Sequence, residues 1–409
     1  MARGALRILV LSFYYRPDLS AGSFRATALI AALRRRMPPG SHIDVITTLP
    51  NRYRSFTAEA PLSEEQPGVS IHRIALERHK SGMLDQSVAF LSYARRALTH
   101  VAGRDFDIVF ATSSRLMTAV LGAWIARRKR AKLYLDIRDI FADTIKDVLP
   151  RAIAAVVKPV FSALEMFALH RADKINVVSP GFLEYFAQRY PHQRFSCFTN
   201  GIDPEFLDAA PTDRRPSPRK AGVETLTVVY AGNIGEGQGL HLVVPQLARA
   251  LGNRVRFKVI GDGGRRQVLE TTIAAMGVTN VEIAPPVGRE QLLEAYRAAD
   301  ILFLHLNNHA AFDKVLPSKL FEYAALGKPL WAGVSGFAAA FTRHEIRNSA
   351  VFQPCDVDSA LRSLDELILE DVPRSEFVAK YGRAAISERL AEDVLSVAPD
   401  AVRWRAEDR

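Results

Sequence analysis

Cysteine is almost missing from this chain. Cys197 and Cys355 are the only two in 409 residues, which excludes a disulfide framework and a multi-thiolate metal site. A reducing compartment is the simpler setting. No apolar run reaches the roughly 20 uninterrupted residues of a membrane span. The most apolar long stretch, 152–169, is broken by Lys158, Pro159 and Glu165. The N-terminal apolar run ends at Tyr15, and Arg16 and Asp18 stand where a signal peptide carries small cleavage-site residues. It reads as a buried strand. No Gly-x-Gly-x-x-Gly dinucleotide fingerprint follows the first strand of either half. No Asp-x-Asp lies at an expected strand end, and no His/Asp cluster has metal-ligand spacing, so no metal is expected. Low-complexity sequence is absent too. With 48% hydrophobic and 24% charged residues, disorder and collagen are excluded.

What is present is basic. The formal net charge is +10, which suits an anionic partner: a phosphorylated ligand, a membrane surface or a nucleic acid. No aromatic-and-basic nucleic-acid module is recognisable, so nucleic acid is set aside. Apolar, β-branched runs alternate with helical patterns. Strands are expected over 8–13, 43–47, 71–76, 108–112, 133–137 and 175–178, with helices between them. Continuous apolar strands separated by helices predict a parallel sheet covered on both faces. The stretch 208–222 holds three prolines and no apolar periodicity and reads as a linker. Strands then restart over 226–230, 255–260, 281–284, 301–306 and 330–334, and helices fill the chain after Asp358. The expected class is α/β, with two Rossmann-like domains at 1–207 and 223–380. A helical segment, 381–409, is expected to pack back on the first domain. Open sheets bind ligands at their strands' carboxyl ends, so two facing domains predict a cleft site.

Several segments are suited to chemistry. Ala21-Gly22-Ser23 opens a helix after the first strand, where small residues let backbone N–H groups approach an anion and Arg25 adds charge. A plain strand-to-helix turn is the other reading. The first strand of the second half ends Ala231-Gly232-Asn233-Ile234-Gly235-Glu236-Gly237-Gln238-Gly239. Its glycines either admit a ligand to the backbone or form a flexible loop. Ile260-Gly261-Asp262-Gly263-Gly264 is a second such end, with Asp262 facing a ligand or capping the next helix. In Leu316-Pro317-Ser318-Lys319-Leu320-Phe321-Glu322, Lys319 at a helix start suits a phosphate. Glu322 either accepts hydrogen bonds from a ribose or completes a capping box with Ser318. Arg138 and Asp139, after Asp136 at a strand's carboxyl end, are placed as catalytic groups or as a local ion pair. Basic residues at Arg95-Arg96 and over Arg127 to Lys132 follow apolar helices. They fit anionic lipid or are solvated helix ends.

Together these residues resemble the GT-B-fold retaining glycosyltransferases of family four. The nearest branch is the one that builds bacterial surface polysaccharides, such as the N-acetyl-fucosaminyl transferases of O-antigen clusters. The likeness spans nearly the whole chain. It rests on YYRPDLSAGSFR, LDIRDIFADTI, VVSPGF, TNGIDPEF, YAGNIGEGQGL, VIGDGG and LPSKLFEYAALGKP, in their order and spacing. The resemblance implies a nucleotide-sugar donor held mainly by the second domain, an acceptor held by the first, and neither metal nor other cofactor. Carried over by position, Gly22, Gly235 to Gly239 and Lys319 contact the donor diphosphate. Glu322 then binds the ribose, and Ser318 and Leu320 lie beside the nucleotide. The sequence departs from the family at three places. Lys314 replaces the first of two glutamates, Asn233 and Gln238 replace the diphosphate-holding Arg and Lys, and Arg138 stands at the catalytic-loop His. The phosphate burden then shifts to Lys319 and Arg25.

The resulting expectation is a peripheral enzyme at the cytoplasmic face of the inner membrane. It moves a sugar, with retention, from a UDP-N-acetylated sugar to a polyprenyl-diphosphate-linked saccharide. Lys319 and the glycine-loop amides stabilise the leaving diphosphate, and Arg138 and Asp139 orient hydroxyls. Two other readings share the fold. A UDP-sugar epimerase needs no acceptor, and the missing acidic and histidine-rich site counts against it. A non-catalytic nucleotide-sugar-binding or scaffold subunit is favoured by Lys314.

Overall fold

The structure is a computed structural model and describes residues 4–50, 59–76, 83–113, 115–140, 151–210 and 225–399, the side chains of 83–86 and 151–156 excepted. The described residues form two compact units. One holds the chain up to Asn200 and again from Arg383; the other runs from Gly201 to Gly382.

The first unit contains strands β1 (Arg7–Ser12), β2 (His42–Thr48), β3 (Ser63–Gln66), β4 (Val69–Ile74), β5 (Ile108–Ser113), β6 (Lys132–Ile137), β7 (Lys174–Val177) and β8 (Phe195–Cys197). They form one sheet in the order β3-β4-β2-β1-β5-β6-β7-β8. Every pairing is parallel except β3 with β4. The central strands are apolar along their whole length because both faces are covered. Ile8, Leu9, Val10 and Leu11 of β1 are all fully buried, and each such side chain contributes about 1.5–3 kcal/mol. One face, with Ile8, Val10, Ile43, Val45, Ile108 and Phe110, is covered by the helix Ala21–Arg36. Leu390, Ala391 and Val394 of the helix Arg383–Leu395 cover the same face. The Tyr134 hydroxyl donates to Asp393 at 2.6 Å, which fixes that returning helix to β6. The opposite face takes the helices Met83–Val101 and Leu116–Lys129, and the helix Arg151–Arg171 packs beside the latter.

The second unit contains β9 (Leu226–Asn233), β10 (Val255–Asp262), β11 (Val281–Ala284), β12 (Ile301–His305), β13 (Leu330–Gly333) and β14 (Ser349–Phe352). Their order is β11-β10-β9-β12-β13-β14, all parallel. Both units are thus Rossmann-like, with the strand order reversing at β1/β5 and at β9/β12.

Some boundaries differ from those expected. The division between units falls at Asn200/Gly201 rather than at 207. Ile202 and Phe206 are buried in the second unit's core with Tyr296 and Tyr323, so the apolar content of that stretch decides its side. The expected linker lies outside the described residues from 211 onward, as do residues 400–409 and the motif LDIRDIFADTI beyond Ile140. The strand β3 was not expected. Its sequence SEEQ has no apolar period, and it is held by antiparallel pairing with β4 and by ion pairs of Glu64 with Arg16 and Arg73. A short charged strand suits a sheet edge.

Gly122 sets how closely the helix Leu116–Lys129 lies on the sheet. A Cβ there would stand 2.7 Å from the Cβ of Ala111. Gly122→Val should therefore lower stability by about 1–3 kcal/mol through overpacking. Gly264→Ala, where a Cβ meets nothing within 4 Å, should leave the melting temperature nearly unchanged. Equal melting of the two variants would contradict this packing.

Candidate functional site

In the second unit the switch point lies at the carboxyl ends of β9 and β12, the edge where open sheets take ligands. The loop after β9 is built from Gly235 to Gly239, and the end of β12 pins it. The Asn307 backbone N–H donates to the Gly237 carbonyl at 2.9 Å, and its side-chain amide donates to the Glu236 carbonyl at 2.9 Å. His305 supplies a third tie. The Cys355 backbone N–H donates to Nε2 at 2.9 Å, so the proton sits on Nδ1, which reaches the Gln238 carbonyl at 2.7 Å. Burial keeps this imidazole neutral and pushes its pKa from 6.5 to about 4. Asn233 donates through Nδ2 to Gln238 Oε1 at 2.7 Å, and Gly235 N–H reaches the same oxygen at 3.3 Å. The two expected donor contacts Asn233 and Gln238 are therefore bonded to each other.

Glycine has two different causes at this edge. Gly232 has φ +146°, and a side chain there would overlap the Lys319 amine. Glycine at 232 makes room for that cation, which lies 5.9 Å from the Tyr230 ring centre. At Gly261 the missing side chain's place is filled by the Gly232 carbonyl, so this glycine serves strand packing. Asp262 does not cap a helix. Its Oδ1 accepts from the Gly263 N–H at 2.8 Å, and the next helix, Arg266–Ala275, starts after Arg265.

Lys319 begins the helix Lys319–Ala325. Ser318 occupies the cap position in helical conformation and its side chain makes no capping bond, so the capping-box alternative fails. Leu320 is fully buried in the core, which leaves only its backbone for a nucleotide. Glu322 is buried at 8% exposure, with Oε1 3.9 Å from Arg289 Nη1. Arg289 also pairs with Asp203 and covers the Phe206 ring at 5.0 Å. Burial opposes its charge, but the Glu322 and Asp203 carboxylates outweigh that and raise its pKa. Sequence reasoning missed Arg289, His305 and Asn307. His305 and Asn307 were legible in principle as polar residues closing the strand run ILFLHLN, whereas Arg289 opens an ordinary helix.

In the first unit, the helix Ala21–Arg36 starts at the switch-point edge. The Ser20 hydroxyl caps it by accepting from the Ser23 N–H at 3.2 Å. Ser23 is fully buried. Arg25 is not an open cation. Its Nε and Nη2 donate to Asp136 at 3.0 and 2.9 Å, and its guanidinium also donates to the carbonyls of Phe198 and Thr199. The expected phosphate contact is thus spent inside the sheet edge. Arg138 lies two residues beyond Asp136. A Cβ at Gly22 would stand 3.1 Å from Arg138 Nη1, and that nitrogen is buried with no hydrogen-bond partner among the described residues. Burial pushes the Arg138 pKa down to about 10, against the pull of Asp136 and Asp139. Asp139 is exposed beside it.

Among the described residues no three His, Cys, Asp or Glu side chains come together as metal ligands. Asp356-Val357-Asp358, an Asp-x-Asp that follows β14, opens a helix instead. Asp356 Oδ1 accepts from the Ser359 N–H at 2.9 Å.

Burial acts to raise the Asp136 pKa, but Arg25 outweighs it and holds the carboxyl below its ordinary 3.8. The wild type therefore loses stability as pH falls below the ordinary carboxylate value. Arg25→Met leaves this carboxylate buried and unpaired, and should cost about 3–5 kcal/mol in urea unfolding near neutral pH. Burial alone then raises the Asp136 pKa, so the deficit should shrink as pH is lowered toward about 4. A deficit independent of pH would argue that Asp136 is not the group stranded.

Residues 21–201 match the glycosyl transferase 4-like domain, and residues 213–386 match the glycosyl transferases group 1 family. Escherichia coli WcaI, whose name assigns it to glycosyl transfer in colanic acid biosynthesis, is 33% identical over 100 residues, 24% of each chain. The lipopolysaccharide 1,2-N-acetylglucosaminetransferase of Salmonella typhimurium is 21% identical over 238 residues, 54% of this chain and 61% of that protein. The matches thus span less than two thirds of either relative. In fold, the chain is similar to Anabaena HepE in its complex with UDP-glucose, with a TM-score of 0.64 at 14% identity over 96% of this chain and 100% of that one. Taken with the two Rossmann-like sheets, the paired domain matches show that the chain belongs to the GT-B-fold glycosyltransferases.

Proposed function

We propose that the protein transfers a sugar, with retention, from a UDP-sugar to a lipid-linked saccharide in bacterial surface polysaccharide synthesis. The observation that carries this is Lys319, whose amine is admitted to the β9 edge by the absence of a side chain at Gly232. An amine at a ligand-binding edge beside glycine-loop N–H groups can neutralise charge growing on a leaving diphosphate. A UDP-sugar, and an N-acetylated one foremost, is supported by the UDP-glucose complex of HepE and by the activity named for the Salmonella relative. Glu322, held by Arg289, presents a carboxylate for the ribose hydroxyls. In the first unit, Arg138 beside Gly22 offers an unpaired N–H to an anionic or hydroxyl group of substrate, and Asp139 orients the acceptor hydroxyl. Arg25 is left out of the donor contacts because Asp136 already holds it. The reaction takes place at the cytoplasmic face of the inner membrane, where lipid-linked acceptors are presented.

Purified protein incubated with a UDP-sugar panel and a lipid-linked acceptor should release UDP only when acceptor is present. Release of UDP or epimerised sugar without acceptor would point to the epimerase reading, and no turnover with any pair to a binding subunit. Lys319→Met should cut kcat roughly 100- to 1,000-fold with the fold intact. Glu322→Gln should weaken donor binding about 10- to 100-fold, the loss of a charged hydrogen bond. If Glu322→Gln lowers only the melting temperature, the ribose role is wrong.

Transfer should also persist in EDTA. Turnover lost with chelator and regained with manganese or magnesium would replace Lys319 by a metal ion as the stabiliser of the leaving group.

A further inference from the structure

β9 is paired unequally on its two sides. Its ladder with β10 runs from Leu226 to Asn233, whereas its ladder with β12 holds only Val228 and Val229. Beyond Val229 the two strands part, and the crevice between them is the ligand edge. Buried backbone groups past that point need partners other than a neighbouring strand. Ala231, two residues past Val229, has one. Its N–H donates to the Tyr323 hydroxyl at 3.1 Å. Tyr323 is fully buried, and its ring meets that of Tyr296 edge-on at 5.1 Å. Burial raises its pKa, so the accepting oxygen is that of a neutral phenol. Tyr230 ties the end of the same stretch, its hydroxyl donating to the Asn233 carbonyl at 2.6 Å.

Tyr323 belongs to the helix Lys319–Ala325. Residues four apart share a helix face, so Tyr323 and Lys319 look the same way. Tyr323 reaches Ala231. Lys319 brings its amine to Gly232, the next residue of β9, and to the Tyr230 ring. One helix face thus meets three consecutive residues of one strand. The helix has seven residues, under two turns, and a helix that short depends on tertiary contacts for its placement. Its rear is clamped by the buried Arg374, which donates to the carbonyls of Ala324 at 3.0 Å and Lys328 at 2.9 Å. Its front is hydrogen-bonded to β9 through the Tyr323 hydroxyl.

We infer that Tyr323 is a positioning residue for sugar transfer: its hydroxyl bridges the gap where β9 leaves β12 and so fixes how the Lys319 amine projects over Gly232. Tyr323 touches no substrate and acts through Lys319. This role rests on the one proposed for Lys319 at the leaving diphosphate. A misplacement of about 1 Å at a reacting centre can cost on the order of 100-fold in rate, so loss of one tie on the helix is enough to slow turnover. Donor binding through Glu322 is secured separately, because Arg289 Nη1 holds that carboxylate at 3.9 Å. The phenol therefore bears on the rate of transfer more than on the donor's hold.

Tyr323→Phe removes one oxygen and keeps the ring. With the UDP-sugar and lipid-linked acceptor that support turnover, kcat should fall about tenfold while the donor KM stays within about threefold, the pattern of an interaction made only in the transition state. In a Lys319→Met background the same substitution should change kcat no further. Without any substrate, hydrogen exchange of the Ala231 amide should quicken about tenfold in Tyr323→Phe. Ser363→Ala removes another buried hydroxyl of this unit, the acceptor of the Trp331 indole N–H at 2.9 Å. It should lower the melting temperature and leave kcat unchanged. If Tyr323→Phe behaves as Ser363→Ala does, with melting lowered and kcat intact, the inference is overturned. Unchanged Ala231 exchange overturns it too, as does a further loss of rate in the Lys319→Met background. Lys319→Met turning over at the wild-type rate would remove the leaving-group role and this one with it. A slow Lys319→Met beside a Tyr323→Phe at full rate would remove only the tie through the phenol.

Discussion

The geometry of the first unit's ligand edge depends on one buried ion pair, Arg25 with Asp136. Asp136 is 1% exposed and receives four hydrogen bonds. Two come from Arg25, one from the Thr112 hydroxyl at 3.0 Å, and one from the Asn176 side-chain amide at 2.7 Å. Those partners sit on the helix Ala21–Arg36 and on β5 and β7, so a single carboxylate ties a helix to three neighbouring strands. A buried charge is tolerated only when it is satisfied this fully. The consequence is positional. The helix start with Gly22, and Arg138 two residues past Asp136, cannot drift apart while the pair holds.

The second unit holds its glycine loop differently, through the Asn307 amide, a neutral His305 and the Gln238 side chain, beside an ion pair of Glu236 with Arg265. Burial keeps His305 uncharged, so it adds no positive charge that would compete for a bound diphosphate. Lys319 brings a cation to the β9 edge, where the face of the Tyr230 ring favours it.

These differences explain what could be read from residues in order. The strands were legible because a parallel sheet covered on both faces demands long apolar runs, and β1, β5, β6, β9 and β12 supply them. β3 was illegible because backbone pairing with β4, not side-chain burial, makes it a strand. The glycine loop and Lys319 were legible as local patterns. The fate of Arg25 was not, because its partner lies 111 residues away, and an arginine in a first helical turn looks the same whether it meets a ligand or a buried aspartate. Arg289 escaped for the same reason. Its partners Asp203 and Glu322 are distant in sequence, and only folding reveals that the three share a site. Short-range chemistry could be read in sequence; long-range charge pairing could not.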